Sequence, residues 1–125
     1  MLAGAALKQP GGVKRQGRVS LDVKESPFAA YDVALIAAVQ QRWYQLLDEN
    51  GFLGDRLGKL VVDFHLNADG SVNQLKLADN EVGEVLSLLC QRAISDPAPF
   101  ARWPSEMRAK IGKEFREVRF TFFYE

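Results

Sequence analysis

At 125 residues, 47% of them hydrophobic, the chain suits one domain built round a single core and excludes two domains. Its 16 basic and 16 acidic residues cancel, so total charge advertises no nucleic acid, membrane surface or polyanionic substrate. The single Cys90 excludes an intramolecular disulfide and a multi-cysteine metal site.

Residues 1–17, with "KQPGGVKRQG", are rich in Gly, Pro and basic groups and have no apolar period. They predict a flexible basic tether ahead of a folded domain over 18–125. The opening "MLAGAAL" is too short for a signal-peptide core, and no stretch reaches the roughly 20 apolar residues of a membrane helix, so a soluble chain is expected. Lys8, Lys14, Arg15 and Arg18, with no acidic residue among the first 18, would suit anionic lipid or cell-wall polymer; a solvated tether is the simpler account.

"RVSLDVK" alternates Val19, Leu21 and Val23 against Ser20, Asp22 and Lys24, the period of a half-buried strand. Ser26 offers an N-cap and Pro27 a first helical position. From there Phe28, Tyr31, Leu35, Ile36, Val39, Trp43, Leu46 and Leu47 share one broad face, while Ala34, Gln41, Gln45 and Asp48 lie opposite. The spacing predicts a helix of about six turns, stopped at Asn50-Gly51. "FLGDRLG" reads as a glycine-punctuated loop.

In "KLVVDFHLNADGSVNQLKLAD", Leu60, Val62, Phe64 and Leu66 share one face and Val61, Asp63 and His65 the other. Asn67-Ala68-Asp69-Gly70 fits a type I turn followed by a left-handed glycine, which makes the segment a hairpin. Val72 and Leu75 are three apart where two is expected. That slip predicts a β-bulge at Asn73 or Gln74, returning Leu75 and Leu77 to the core side. Asn80 is placed to cap a second helix with a Val82, Val85, Leu86, Leu89 and Ala93 stripe, ended by Asp96-Pro97. "APFARWPSEMRAKIG" reads as a loop with about one helical turn after Pro104. The last strand, "EFREVRFTFFYE", sets Val118, Phe120, Phe122 and Tyr124 against Arg119, Thr121 and Phe123. The whole is α+β: an antiparallel sheet of three strands, with a fourth if the N-terminal segment pairs, and two helices packed on one face.

Chemical equipment is thin. His65 and Asp63 share the outward face of one strand, but a metal site normally needs three or more protein ligands, so a solvated face is the simpler account. Cys90 beside an apolar stripe reads as a packed small hydrophobe, with no basic cluster nearby in sequence to activate it. Glu81 and Glu84 suit the positive end of a helix dipole better than paired catalysis. "GDRLGK" lacks phosphate-loop spacing and precedes a strand rather than a helix. No catalytic, metal-binding or cofactor-binding residue is expected. Phe100, Trp103 and Pro104 would form either an aromatic recognition surface or, more simply, a plug for the end of the core.

From Tyr31 to Tyr124 the order of elements resembles the C-terminal domains of the TonB and TolA energy-transducing proteins of Gram-negative bacteria. The resemblance rests on "LVVDFHLNADGSVNQLKL", on a helix closing in Ala93-Ile94, on "PFARWPSEM" and on the final "VRFTFFYE". The long helix with Tyr31 and Trp43 is more similar to the TolA type; the Tyr-Pro opening of the TonB type is missing. "ADNEVGEV" replaces the family's Ser-Gly turn, and neither a membrane anchor nor a proline-rich spacer is present in these residues.

The resemblance implies a periplasmic, non-catalytic protein-interaction domain that captures an outer-membrane or periplasmic partner segment by β-strand addition. In the family the last strand lies at the sheet edge. The binding residues implied are therefore Glu117, Val118, Arg119, Phe120, Thr121, Phe122, Phe123 and Tyr124, unless the N-terminal strand covers them. Two other readings stay open. One is a small-molecule-binding domain or enzyme using the uncovered face around His65, Asp63, Arg119 and Phe123. The other is a structural module that dimerises through its edge strands. Between helix and sheet, Trp43 is expected to face Phe64.

Overall fold

A computed structural model describes residues 17–23, 28–51 and 57–124. Strand β1 (Gly17–Val23) precedes helix α1 (Ala29–Glu49). Strands β2 (Gly58–Asn67) and β3 (Val72–Asn80) form the hairpin, helices α2 (Glu84–Ser95) and α3 (Ser105–Ile111) follow, and strand β4 (Phe115–Tyr124) comes last. One antiparallel sheet runs in the order β1-β4-β2-β3. The N-terminal segment thus supplies a fourth strand, and α3 adds a third helix, two turns long where one was expected. Gly17, read as the last residue of the tether, is paired with Tyr124; residues 1–16 lie outside the described residues.

Helix α1 buries Leu35, Ile36, Val39, Trp43, Leu46 and Leu47, as its period predicts. The expected cap at Ser26 and Pro27 lies outside the described residues. At the other end Asn50 donates its side-chain amide to the Leu46 carbonyl at 2.8 Å, and Gly51 turns the chain at φ 72°. Against this face lie Val19 of β1, Leu60, Val62, Phe64 and Leu66 of β2, and Val118, Phe120, Phe122 and Tyr124 of β4, all buried.

Trp43 does not meet Phe64. It packs edge-on against Phe122 and Tyr124, with centroids 5.1 and 5.2 Å away, while Phe64 stacks on Phe120. The register explains this: Phe64 lies opposite Val118, six residues from Tyr124 along β4, or about 20 Å at the rise of a strand.

The hairpin turns as predicted. The Gly70 N–H donates to the Asn67 carbonyl at 2.9 Å, and Gly70 holds φ 93°. The slip is there too: His65 faces Asn73 but Asp63 faces Lys76, and Gln74 sits at φ 55°. A second irregularity falls between Val61, opposite Asp79, and Val62, opposite Leu77. Leu75 packs on the core, whereas Leu77, at the rim of the edge strand, stays 40% exposed.

The Asn80 side-chain oxygen accepts from the N–H groups of Val82 and Gly83, an Asx turn that launches α2 at Glu84. The buried stripe is Leu86, Leu89, Cys90, Ala93 and Ile94; Val85, expected within it, is 58% exposed. Trp103, Met107, Ile111 and Ala68 form a second small cluster at the hairpin tip. Trp103 therefore plugs the end of the fold.

Candidate partner-binding edge

The expected binding strand, Glu117 to Tyr124, is not an edge. β4 pairs with β2 along its length and with β1 over seven consecutive positions, from Gly17 opposite Tyr124 to Val23 opposite Val118. Both rows of hydrogen-bonding groups from Val118 to Tyr124 are therefore engaged. The condition attached to the expectation is met: the N-terminal strand covers this edge.

Among the described residues, no strand pairs with the outer side of β3, at the hairpin end of the sheet. Its pairing with β2 breaks step twice, and it carries Lys76 and mostly exposed side chains. Bulges and charge of this kind blunt an edge against further strands. By contrast, the β1–β4 ladder has no irregularity.

The inward half of β4 is fixed by burial. Tyr124 accepts a 3.1 Å hydrogen bond from the Trp43 ring N–H and lies 3.4 Å from the Cys90 sulfur. Burial pushes the Cys90 thiol up to about 12 and raises the Tyr124 phenol as well. Cys90 is 0% exposed, a packed hydrophobe rather than a nucleophile.

Sequence reasoning passed over one inward pair. Arg116 is fully buried on the core side of β4 and donates to the Asp32 carboxylate of α1 at 2.9 Å, with Asp32 2% exposed. The Arg116 guanidinium also sits 5.8 Å from the Phe28 ring centroid. The signal was present. Asp32 falls on the apolar arc of its helix and Arg116 on the apolar phase of its strand, two opposite charges where two hydrophobes belong.

On the outward face Asp63 and Arg119 hold each other bidentately, at 2.7 and 2.9 Å. That pairing, first through the hydrogen bonds, keeps the Asp63 carboxyl below its ordinary range and raises Arg119. The register extends the pair into a row of alternating sign across all four strands, Asp22, Arg119, Asp63 and Lys76. His65 stacks on Phe115 with centroids 4.4 Å apart, and the Arg18 guanidinium lies 4.1 Å from the Phe123 centroid. The depression between these groups, about 460 Å³, is lined by Asp22, Asp63, His65, Lys76, Glu117 and Arg119 among others. Among the described residues no group of three His, Cys, Asp or Glu is placed to hold a metal ion. Nor is any described helix long and apolar enough to cross a membrane.

No family model matches the chain, and no curated protein matches it in sequence. Among solved structures it is similar to the solution structure of the Helicobacter pylori TonB C-terminal domain, residues 179–285. The likeness has 17% identity and a TM-score of 0.47, over 82% of this chain and 96% of that one. At that level neither activity nor partner passes from one to the other.

Proposed function

We propose that this chain is a non-catalytic protein-interaction domain that captures an extended segment of a partner protein by strand addition along the outer edge of β4, a place its own β1 occupies. The observation that supports this reading is the contrast between the two sides of the sheet. The β1–β4 ladder is regular over seven pairs, while the β2–β3 ladder at the other end of the sheet shifts register twice. A strand added at β4 finds an unbent row of donors and acceptors and alternate side-chain sites.

The small-molecule reading requires polar groups on the outer face that await a ligand. Asp63 and Arg119 are instead engaged with each other, and His65 is stacked on Phe115. The periplasm as the site of action, and energy transduction as the role, rest in this proposal on the motif order in the sequence. Deleting residues 1–25 tests the reading by uncovering β4. The deleted chain is expected to bind a synthetic peptide of residues 17–24, or to self-associate on sedimentation. A deletion that stays monomeric and binds nothing overturns it.

A further inference from the structure

β1 is the one strand known to fit the β4 slot, and its contacts state what the slot accepts. Opposite Tyr124 stands Gly17. A Cβ there would drive into the Phe123 carbonyl and come within 3.2 Å of the Trp43 ring, so a side chain is refused. Opposite Phe123 the Arg18 cation lies 4.1 Å from the ring centroid. Opposite Phe122, Val19 is 1% exposed; opposite Phe120, Leu21 packs on the core. Ser20, between them, faces Thr121 outward. Opposite Arg119, Asp22 stands as the negative end of the charge row.

Resting on the strand-addition reading, we infer that the slot selects its partner by sequence. It takes an antiparallel segment of another protein that reads glycine, basic, apolar, small polar, apolar, acidic, and β1 is a built-in copy of that ligand. Five of the six positions have a cause on the slot. Backbone closeness excludes a Cβ at the first, the Phe123 ring holds the cation at the second, the core takes the third and fifth, and Arg119 attracts the carboxylate at the sixth. Ladder hydrogen bonds alone would admit any extended chain; these five positions discriminate.

The test uses the whole chain carrying Leu21→Asp, which removes β1 from its apolar site, labelled with ¹⁵N. A capped peptide of residues 17–24 is expected to shift the amides of Val118 to Tyr124. A Gly17→Val peptide is expected to shift none. An Asp22→Lys peptide is expected to bind about tenfold more weakly, the effect of setting a second cation opposite Arg119 on the exposed face. Arg119→Glu should restore that peptide. Should Leu21→Asp fail to fold, the unmodified chain is offered the peptide in excess with a photo-crosslinking residue in place of Ser20. Labelling of β4 that the Gly17→Val peptide fails to compete supports the inference.

Peptides that all reach β4 with equal affinity overturn selection by sequence and leave strand addition standing. No peptide reaching β4 in either format overturns both. Sedimentation of the unmodified chain is expected to show a monomer; a dimer that exchanges β1 would give the slot to a second copy and overturn the external partner.

Discussion

Trp43 is fixed by chemistry as well as volume: it is 0% exposed, edge-packed on two aromatic rings, and donates to Tyr124. Trp43→Ala is expected to cost about 3 to 5 kcal/mol, the range for truncating a buried aromatic, read as a drop in thermal melting. The Asp32–Arg116 pair makes a sharper case, because both partners are buried and the guanidinium leaves Nε and Nη2 without a hydrogen bond. Asp32→Ala strands a buried cation and is expected to cost about 3 to 5 kcal/mol in urea unfolding. Replacing both, Asp32→Leu with Arg116→Met, is expected to recover most of that loss, since the desolvation of two charges disappears with their attraction. A double variant as weak as the single one would show that the pair stabilises beyond its own compensation. Cys90 sets an alkaline limit. Burial raises its thiol from the ordinary 9.0 to about 12, so the folded chain keeps a proton that the unfolded chain gives up. Its contribution is complete below pH 9 and lost as pH rises from there towards 12. Tyr31, raised from 10.0 to about 12 by burial, joins the decline from pH 10 upward. Melting temperature is therefore expected to fall above pH 9, and Cys90→Ala to delay the onset by about one pH unit.

Among the elements, the hairpin turn is held from outside as well as from within. Phe100 donates its N–H to the Gly70 carbonyl at 2.7 Å, and Trp103 donates to Ala68 at 3.0 Å, so the loop after α2 clasps the tip. A Cβ at Gly70 would meet the Phe100 backbone, and the residue already holds φ 93°. Gly70→Val is expected to lower the melting temperature strongly and Ser71→Thr hardly at all, because the Ser71 hydroxyl bonds Asp69 in a way threonine can copy. Equal effects would remove both the turn and the clasp. The turn and the first bulge were legible because each leaves a local mark, a glycine in a set place and an apolar spacing of three. The second irregularity, near Ala78, leaves none: the residues after Leu77 are small or polar and define no phase. Val85 misled for a related reason. Its spacing fits the stripe, but Val82, from which the stripe was counted, precedes the helix that starts at Glu84, and Val85 in the first turn is 58% exposed.

At the scale of the molecule, the strand alternation of "VRFTFFYE" correctly gave the inner and outer faces of β4 but could not give its neighbours. An edge strand and an interior strand with one wet face carry the same period of two. Strand order depended on which edge the N-terminal segment takes, and that is decided by contacts far apart in sequence, such as the Tyr44 hydroxyl donating to the Gly17 carbonyl at 2.6 Å. Thr121→Pro shows the consequence. Thr121 is paired with Ser20 on one side and Val61 on the other, so proline there breaks the middle of the sheet and disables more than capture. The informative measurement leaves the chain unmutated. Among the described residues β1 has one strand neighbour, β4, whereas β4 and β2 each have two. Opening β1 alone gives up one ladder and the burial of Val19 and Leu21; opening β4 gives up two ladders and the aromatic core. The free energy of opening is therefore lower for β1 than for global unfolding. Native-state hydrogen exchange is expected to show the β1 amides bonded to β4 exchanging through a local opening that depends little on denaturant, while β2 amides exchange only with global unfolding. If β1 and β2 amides share one opening free energy and one denaturant slope, β1 never leaves without the fold, and no partner can take its place on β4.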